Sequence, residues 1–264
     1  AGGVGKSRLV VRAIQRLLPE TALFEAAYFI SLTAVSDPVQ LATAIGTQLG
    51  ILFNERGANE DQLVDWLISR PTLLILDNYE QLLPNTTLIE KLLAETSQTK
   101  LLITSRSPLK LQAEWRLPLV GLPLPQQTAV LADLPAFASV QLLQTAAEQV
   151  NPSFAISKAV GDLCRLLAGL PLALEIAGSW LSLFTAEDLV EQLRQDLDFL
   201  VATRQDVPER HRSLRLIFDH SWRLLKPPAQ QGLAALACFA SPFSLVAARE
   251  VTGSGMAEFM LLVD

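Results

Sequence analysis

Apolar side chains recur at helical spacing from the sixth residue onward, at Leu9, Val10, Ala13, Ile14, Leu17 and Leu18, and Pro19 stops the pattern. That periodicity predicts a helix running directly out of the glycine-rich opening Gly2-Gly3-Val4-Gly5. Ala27-Tyr28-Phe29-Ile30-Ser31-Leu32 predicts a short buried strand, and Asp37-Pro38 opens a helix with Leu41, Ile45 and Leu49 on one face. A second helix is expected from Asp61 to Ile68. Pro71 and Thr72 then lead into Leu73-Leu74-Ile75-Leu76-Asp77, an unbroken apolar run ending in a carboxylate, as a strand covered by helices on both faces should read. A helix from Leu88 to Glu95 precedes another strand, Lys100 to Thr104. Strands alternating with helices require crossover connections, so the first part of the chain is expected to be α/β with a largely parallel sheet. Ligands on such sheets gather at the carboxyl ends of the strands.

Beyond Leu124 the strand pattern ends, and helices are expected over Phe137–Gln149, Ile156–Ala168, Pro171–Phe184 and Ala186–Leu200. A polar stretch, Ala202 to Glu209, sets off a third segment with helices around Leu214–Leu225 and Ala229–Cys238. The pattern divides into residues 1–124, 125–202 and 203–264, with no internal repeat.

Composition narrows the partners. Half of the 264 residues are apolar, enough for two or three packed cores. A net charge of -6 argues against a broad basic grip on nucleic acid, which rests on clustered Lys and Arg. Cys164 and Cys238 lack CxxC spacing and sit in apolar helical contexts, so neither a disulfide framework nor a zinc site is indicated. No apolar run approaches the roughly 18 to 20 residues of a membrane helix, and no signal peptide opens the chain. A cytoplasmic location is expected.

Ala1-Gly2-Gly3-Val4-Gly5-Lys6-Ser7 fits the last seven positions of the phosphate loop G-x-x-x-x-G-K-[ST]. The loop's first glycine and its strand, which would be central in the sheet, are thus expected before Ala1. Glycines let backbone N–H groups converge on phosphate oxygens, and the N-terminus of the following helix, through Arg8, adds a favourable dipole. Lys6 would neutralise the outer phosphates and the Ser7 hydroxyl would ligate Mg²⁺. A glycine-rich turn without ligand is the plain alternative. Asp77, ending a buried strand, is placed to hold the same Mg²⁺ with Ser7, although an Asp-Asn turn after an apolar strand is also common. Asn78 stands directly after it, and an amide cannot take a proton from water, so hydrolysis should be slow unless Glu80 or another group substitutes. Glu80 reads equally well as a solvated acid at a helix start. Arg106, after Leu101-Leu102-Ile103-Thr104-Ser105, is a candidate phosphate sensor or, alternatively, a surface arginine.

These motifs resemble those of the signal-transduction ATPases with numerous domains, the STAND class, and within it the NB-ARC-like module of bacterial transcriptional regulators of the LuxR and AfsR type. The resemblance rests on the phosphate loop, on residues 73–83 (Leu-Leu-Ile-Leu-Asp-Asn-Tyr-Glu-Gln-Leu-Leu), on Leu-Ile-Thr-Ser-Arg at 102–106 and on Gly169-Leu170-Pro171-Leu172-Ala173-Leu174. It implies an N-terminally truncated P-loop NTPase sheet, a helical domain and the start of a winged helix. It further implies that Pro171 packs on the adenine base, although a proline in the first turn after a glycine cap also has a purely helical role. The segments 210–215 and 219–225 resemble the winged helix, while the family's phosphate-binding histidine motif would lie beyond Asp264, so neither His211 nor His220 inherits that task. Six basic side chains against three acidic ones over 202–226 give a small local excess, and direct DNA binding by this segment is not expected.

The leading expectation is an ATP- or ADP-binding switch, with slow hydrolysis at most, in a signalling or transcription-regulating protein. Self-association or an intramolecular sensor domain would be its partners. A turnover ATPase or phosphotransferase and a nucleotide-free helical scaffold stand as alternatives.

Overall fold

A computed structural model describes residues 2–18, 23–55, 57–195, 222, 225–239 and 243–253. Pro19, the polar stretch 202–209, His211, His220 and the helix expected up to Leu225 fall outside these residues, apart from Trp222 and Leu225. The chain divides into two compact units, residues 6–118 and residues 1–5 with 119–264.

The first unit carries a three-stranded parallel sheet of β1 (Ala26–Ser31), β2 (Thr72–Asp77) and β3 (Lys100–Ile103), in that spatial order. Helix α1 (Lys6–Leu17) precedes β1, α2 (Leu41–Leu49) and α3 (Asn59–Leu67) connect β1 to β2, and α4 (Thr87–Glu95) connects β2 to β3. β2 lies in the middle and is buried at five of its six positions, which explains its unbroken apolar sequence. The register pairs Ser31 with Asp77 and Leu76 with Ile103, so the polar residues that end the strands come out at one edge.

Leu41, Ile45, Leu63, Leu67, Leu74, Leu76, Leu88 and Leu92 form the core of this unit, at the spacings expected from sequence. Asp37 caps the short 3-10 turn Pro38–Gln40 through the Val39 N–H, and Gly50 ends α2 in the left-handed conformation. In contrast, α1 buries none of its residues, and Leu9 and Leu17 are exposed.

In the second unit α5 (Ala138–Glu148), α6 (Lys158–Leu166), α7 (Pro171–Trp180) and α8 (Ala186–Gln195) enclose a core of Val140, Leu143, Val160, Leu163, Leu174, Ala177 and Leu189. The described part of α8 stops at Gln195, short of the expected Leu200. A 3-10 segment, Leu131–Ala136, precedes α5 and was not evident from periodicity because Pro135 interrupts it. Two more helices, α9 (Pro227–Leu236) and α10 (Leu245–Thr252), pack on one another.

Gly169 fixes the entry to α7. Its φ is 64°, and a Cβ there would lie 2.4 Å from the Leu122 carbonyl oxygen, while its own carbonyl accepts the Leu122 N–H at 2.8 Å. Only glycine meets both the left-handed backbone and the close approach. Among the described residues no helix is long and apolar enough to cross a membrane.

Candidate functional site

The loop residues before Lys6 belong to the helical unit. Gly3 and Gly5 have φ of 74° and 92°, Gly2 and Val4 are buried, and the chain enters α1 at Lys6. The first residues of a helix leave N–H donors without intrahelical partners. At α7 the cap residue Leu170 offers no side-chain bond, and Pro171 has no N–H to satisfy. The next donor, the Leu172 N–H, is taken by the Gly3 carbonyl at 3.2 Å. The Pro171 ring meanwhile stands within van der Waals reach of Gly5, its Cγ being 3.9 Å from where a Cβ on that residue would be. The Gly-Leu-Pro-Leu sequence therefore has a structural task of its own: it presents a helix N-terminus that the glycine loop caps.

In the sheet unit, the helix that starts at Lys6 brings Ser7 to the end of β2. Ser7 Oγ donates to Asp77 Oδ1 at 2.6 Å, and Thr104 Oγ1 donates to the same oxygen at 2.6 Å. The Thr104 hydroxyl also accepts the Asn78 N–H at 3.0 Å. Backbone bonds continue the pairing past the strands, Thr104 N–H to the Leu76 carbonyl and Tyr79 N–H to the Thr104 carbonyl, both at 3.0 Å. Asp77 is thus clamped by two hydroxyls, one from the helix after the glycine loop and one from β3's extension. Two hydroxyl donors compensate an ionised carboxylate that is only 9% exposed.

Asn78 adopts the left-handed conformation, φ 71° and ψ 46°, and starts a 3-10 turn over Tyr79–Gln81. Asn tolerates this region better than most residues with a Cβ. The turn buries Tyr79 and Glu80. Tyr79 Oη donates to the Asn85 carbonyl, and burial pushes its phenol up to about 12. Glu80 is not a solvated acid: its side chain is 3% exposed and pairs with Arg106, whose Nε donates to Oε1 at 3.0 Å. Nor is Arg106 a surface arginine, with its side chain 13% exposed. Lys6 is half-buried, and desolvation lowers its pKa below the usual lysine range. The Glu80 carboxylate opposes that shift, Arg106 reinforces it and Asp77 opposes it. Arg8 lies exposed on α1.

Sequence reasoning singled out Lys6, Ser7, Asp77 and Arg106, and the structure brings Ser7 onto Asp77 and the charges of Arg106 and Asp77 to bear on Lys6. It missed Thr104 as the second clamp. Aligning the two apolar runs in parallel, Leu73 with Lys100 through Leu76 with Ile103, sets Thr104 beside Asp77, which is the signal that was there to find. Among the described residues no group of three or more His, Cys, Asp and Glu side chains forms a metal cluster.

No family model matches the chain. It is 28% identical to a protein of Mycobacterium bovis named as a candidate HTH-type transcriptional regulator, over 99% of this chain and 29% of that protein. A Mycobacterium tuberculosis protein of the same description matches to the same extent. An uncharacterized M. bovis protein is 26% identical over 94% of this chain and 61% of its own length. The chain therefore spans less than a third of the regulators it matches. Among solved structures, the ORC2 protein of Aeropyrum pernix, in its ADPNP-ADP complexes, aligns with 99% of this chain and 76% of its own at 13% identity, with a TM-score of 0.49.

Proposed function

We propose that the chain is the nucleotide-binding module of a transcription-regulating protein, a P-loop switch of the NB-ARC type that holds ATP or ADP at residues Gly2 to Ser7. The observation that carries this reading is the clamp on Asp77, in which a serine following Gly-Lys and a threonine just past the next strand share one carboxylate oxygen. A turn without a ligand has no use for a lysine partly stripped of water beside three charged groups. The similarity to named regulators supports the setting of the module.

Lys6 meets the outer phosphates, where its charge is matched by the ligand and its desolvation offset. Backbone N–H groups of the loop and the start of α1 favour the same anion. Ser7 Oγ and the Asp77 carboxylate, 2.6 Å apart, are hard oxygen donors of the kind Mg²⁺ takes with retained waters, so these two residues would hold it. Bound there, Mg²⁺ would supply charge neutralisation between the phosphates. Arg106, set at the carboxyl end of the sheet, senses the terminal phosphate. Pro171 is the adenine contact, a role supported by its place at the head of α7 against Gly5. The switch itself follows from differential affinity: ADP favours one arrangement of the module, ATP another, and nucleotide exchange shifts their populations.

Titration with a fluorescent ADP analogue tests the site. Lys6→Ala should abolish binding, and Pro171→Ala should weaken it with the circular dichroism spectrum unchanged. Undiminished affinity in Lys6→Ala sinks the site assignment, and undiminished affinity in Pro171→Ala returns that residue to its helical role.

A further inference from the structure

Among the described residues, one buried side-chain oxygen or nitrogen has no hydrogen-bond partner, and it is Glu80 Oε2. A buried, unpaired carboxylate oxygen is costly, and such atoms persist where a ligand or a reaction uses them. The other oxygen of the same carboxylate is held by Arg106 Nε at 3.0 Å, so one half of the group is fixed and the other left open. The left-handed turn at Asn78 makes this arrangement. It diverts the chain just after Asp77 and places the acid of residue 80 in the interior, paired with Arg106 beyond the end of β3.

We propose that Glu80 is the general base of ATP hydrolysis, with Arg106 as the residue that positions its carboxylate. The proposal rests on the nucleotide site at Gly2 to Ser7. In the step, the oxygen of a water molecule bonds to the γ-phosphorus while the bond from that phosphorus to the β,γ-bridging oxygen breaks, its electron pair leaving with ADP. Glu80 Oε2 takes one proton of the water and passes it to the released phosphate or to solvent. The charge environment agrees with that placement: after desolvation, the Glu80 carboxylate is the largest influence on Lys6, the lysine assigned to the outer phosphates, ahead of Arg106 and Asp77. Asn78 then explains itself as a turn residue, and its amide no longer implies a dead site.

Glu80→Gln separates this role from a structural one, because the amide oxygen still accepts from Arg106 Nε while the group loses its basicity. In the full-length protein, single-turnover hydrolysis of ATP should fall about 10²- to 10⁴-fold in Glu80→Gln with affinity for the ADP analogue retained. Glu80→Asp, which keeps the charge that balances Arg106, should hydrolyse at an intermediate rate and checks that the pair is intact. Glu80→Gln hydrolysing at the wild-type rate, or a wild type that binds ATP without ever cleaving it, overturns the assignment while leaving the nucleotide site standing. Binding that ignores Lys6→Ala overturns the site and this proposal together.

Discussion

Replacing Thr104 by valine keeps the shape of the side chain and removes one hydroxyl, and that hydroxyl makes two bonds. It donates to Asp77 Oδ1 at 2.6 Å and accepts the Asn78 N–H at 3.0 Å, in a side chain that is 5% exposed. A hydrogen bond to a charged group is worth about 1.5–3 kcal/mol, and an unmet buried N–H costs about 1–3 kcal/mol. Ser7 still donates to Asp77 after the change, which softens the first loss. The expected destabilisation is therefore about 3 kcal/mol, a large share of the roughly 5–15 kcal/mol that holds an ordinary domain together. Thr104→Ser keeps the hydroxyl and forfeits one methyl, at about 1 kcal/mol. Urea titrations of the three proteins, followed by far-ultraviolet circular dichroism, give the comparison directly. If Thr104→Val lies within about 0.5 kcal/mol of the wild type, the ordinary range of a neutral surface change, the clamp on Asp77 is not what holds the strand ends together.

Two other perturbations follow from the geometry. Gly169→Ala must place a Cβ at φ 64° and 2.4 Å from the Leu122 carbonyl, so it should lower stability by at least about 2 kcal/mol, with the loss in the thermal melt; an unchanged melting temperature refutes the close approach. Lys6 has its pKa lowered by burial, so between that value and its unfolded value the unfolded chain binds the extra proton and stability rises with pH. Lys6→Met should remove that dependence and be more stable than the wild type at neutral pH while losing nucleotide, as a residue strained for function would; a wild type whose stability is flat or falling across the alkaline window contradicts the assigned desolvation.

Much of the fold is written in its periodicities. The unbroken apolar run at residues 73–77 reads as a buried central strand and is one, and the Leu41, Ile45, Leu49 stripe lands in the core of the sheet unit. The same reading gives α1, yet it also suggests a buried face, and the helix buries nothing among the described residues. Burial is decided by neighbours in space, which an amphipathic pattern cannot name. The charged residues show the limit most clearly. Glu80 reads in sequence as either a solvated helix-start acid or a catalytic one, because its exposure depends on the single left-handed residue before Tyr79. Thr104 carries no motif at all, and only the register of two strands makes it a partner of Asp77. Pro171 illustrates a third case: its helix-start role is legible from the glycine before it, whereas the bond from Leu172 to Gly3 joins residues far apart in sequence.

Every role proposed for Lys6, Ser7, Asp77 and Pro171 depends on nucleotide being held at the glycine loop. The direct measurement is the nucleotide content of the full-length protein, purified without added nucleotide, denatured and resolved by ion-exchange chromatography beside Lys6→Ala. Stoichiometric ADP in the wild type and none in Lys6→Ala is the predicted result. A wild type that elutes empty and takes up neither ADP nor ATP when they are added contradicts it.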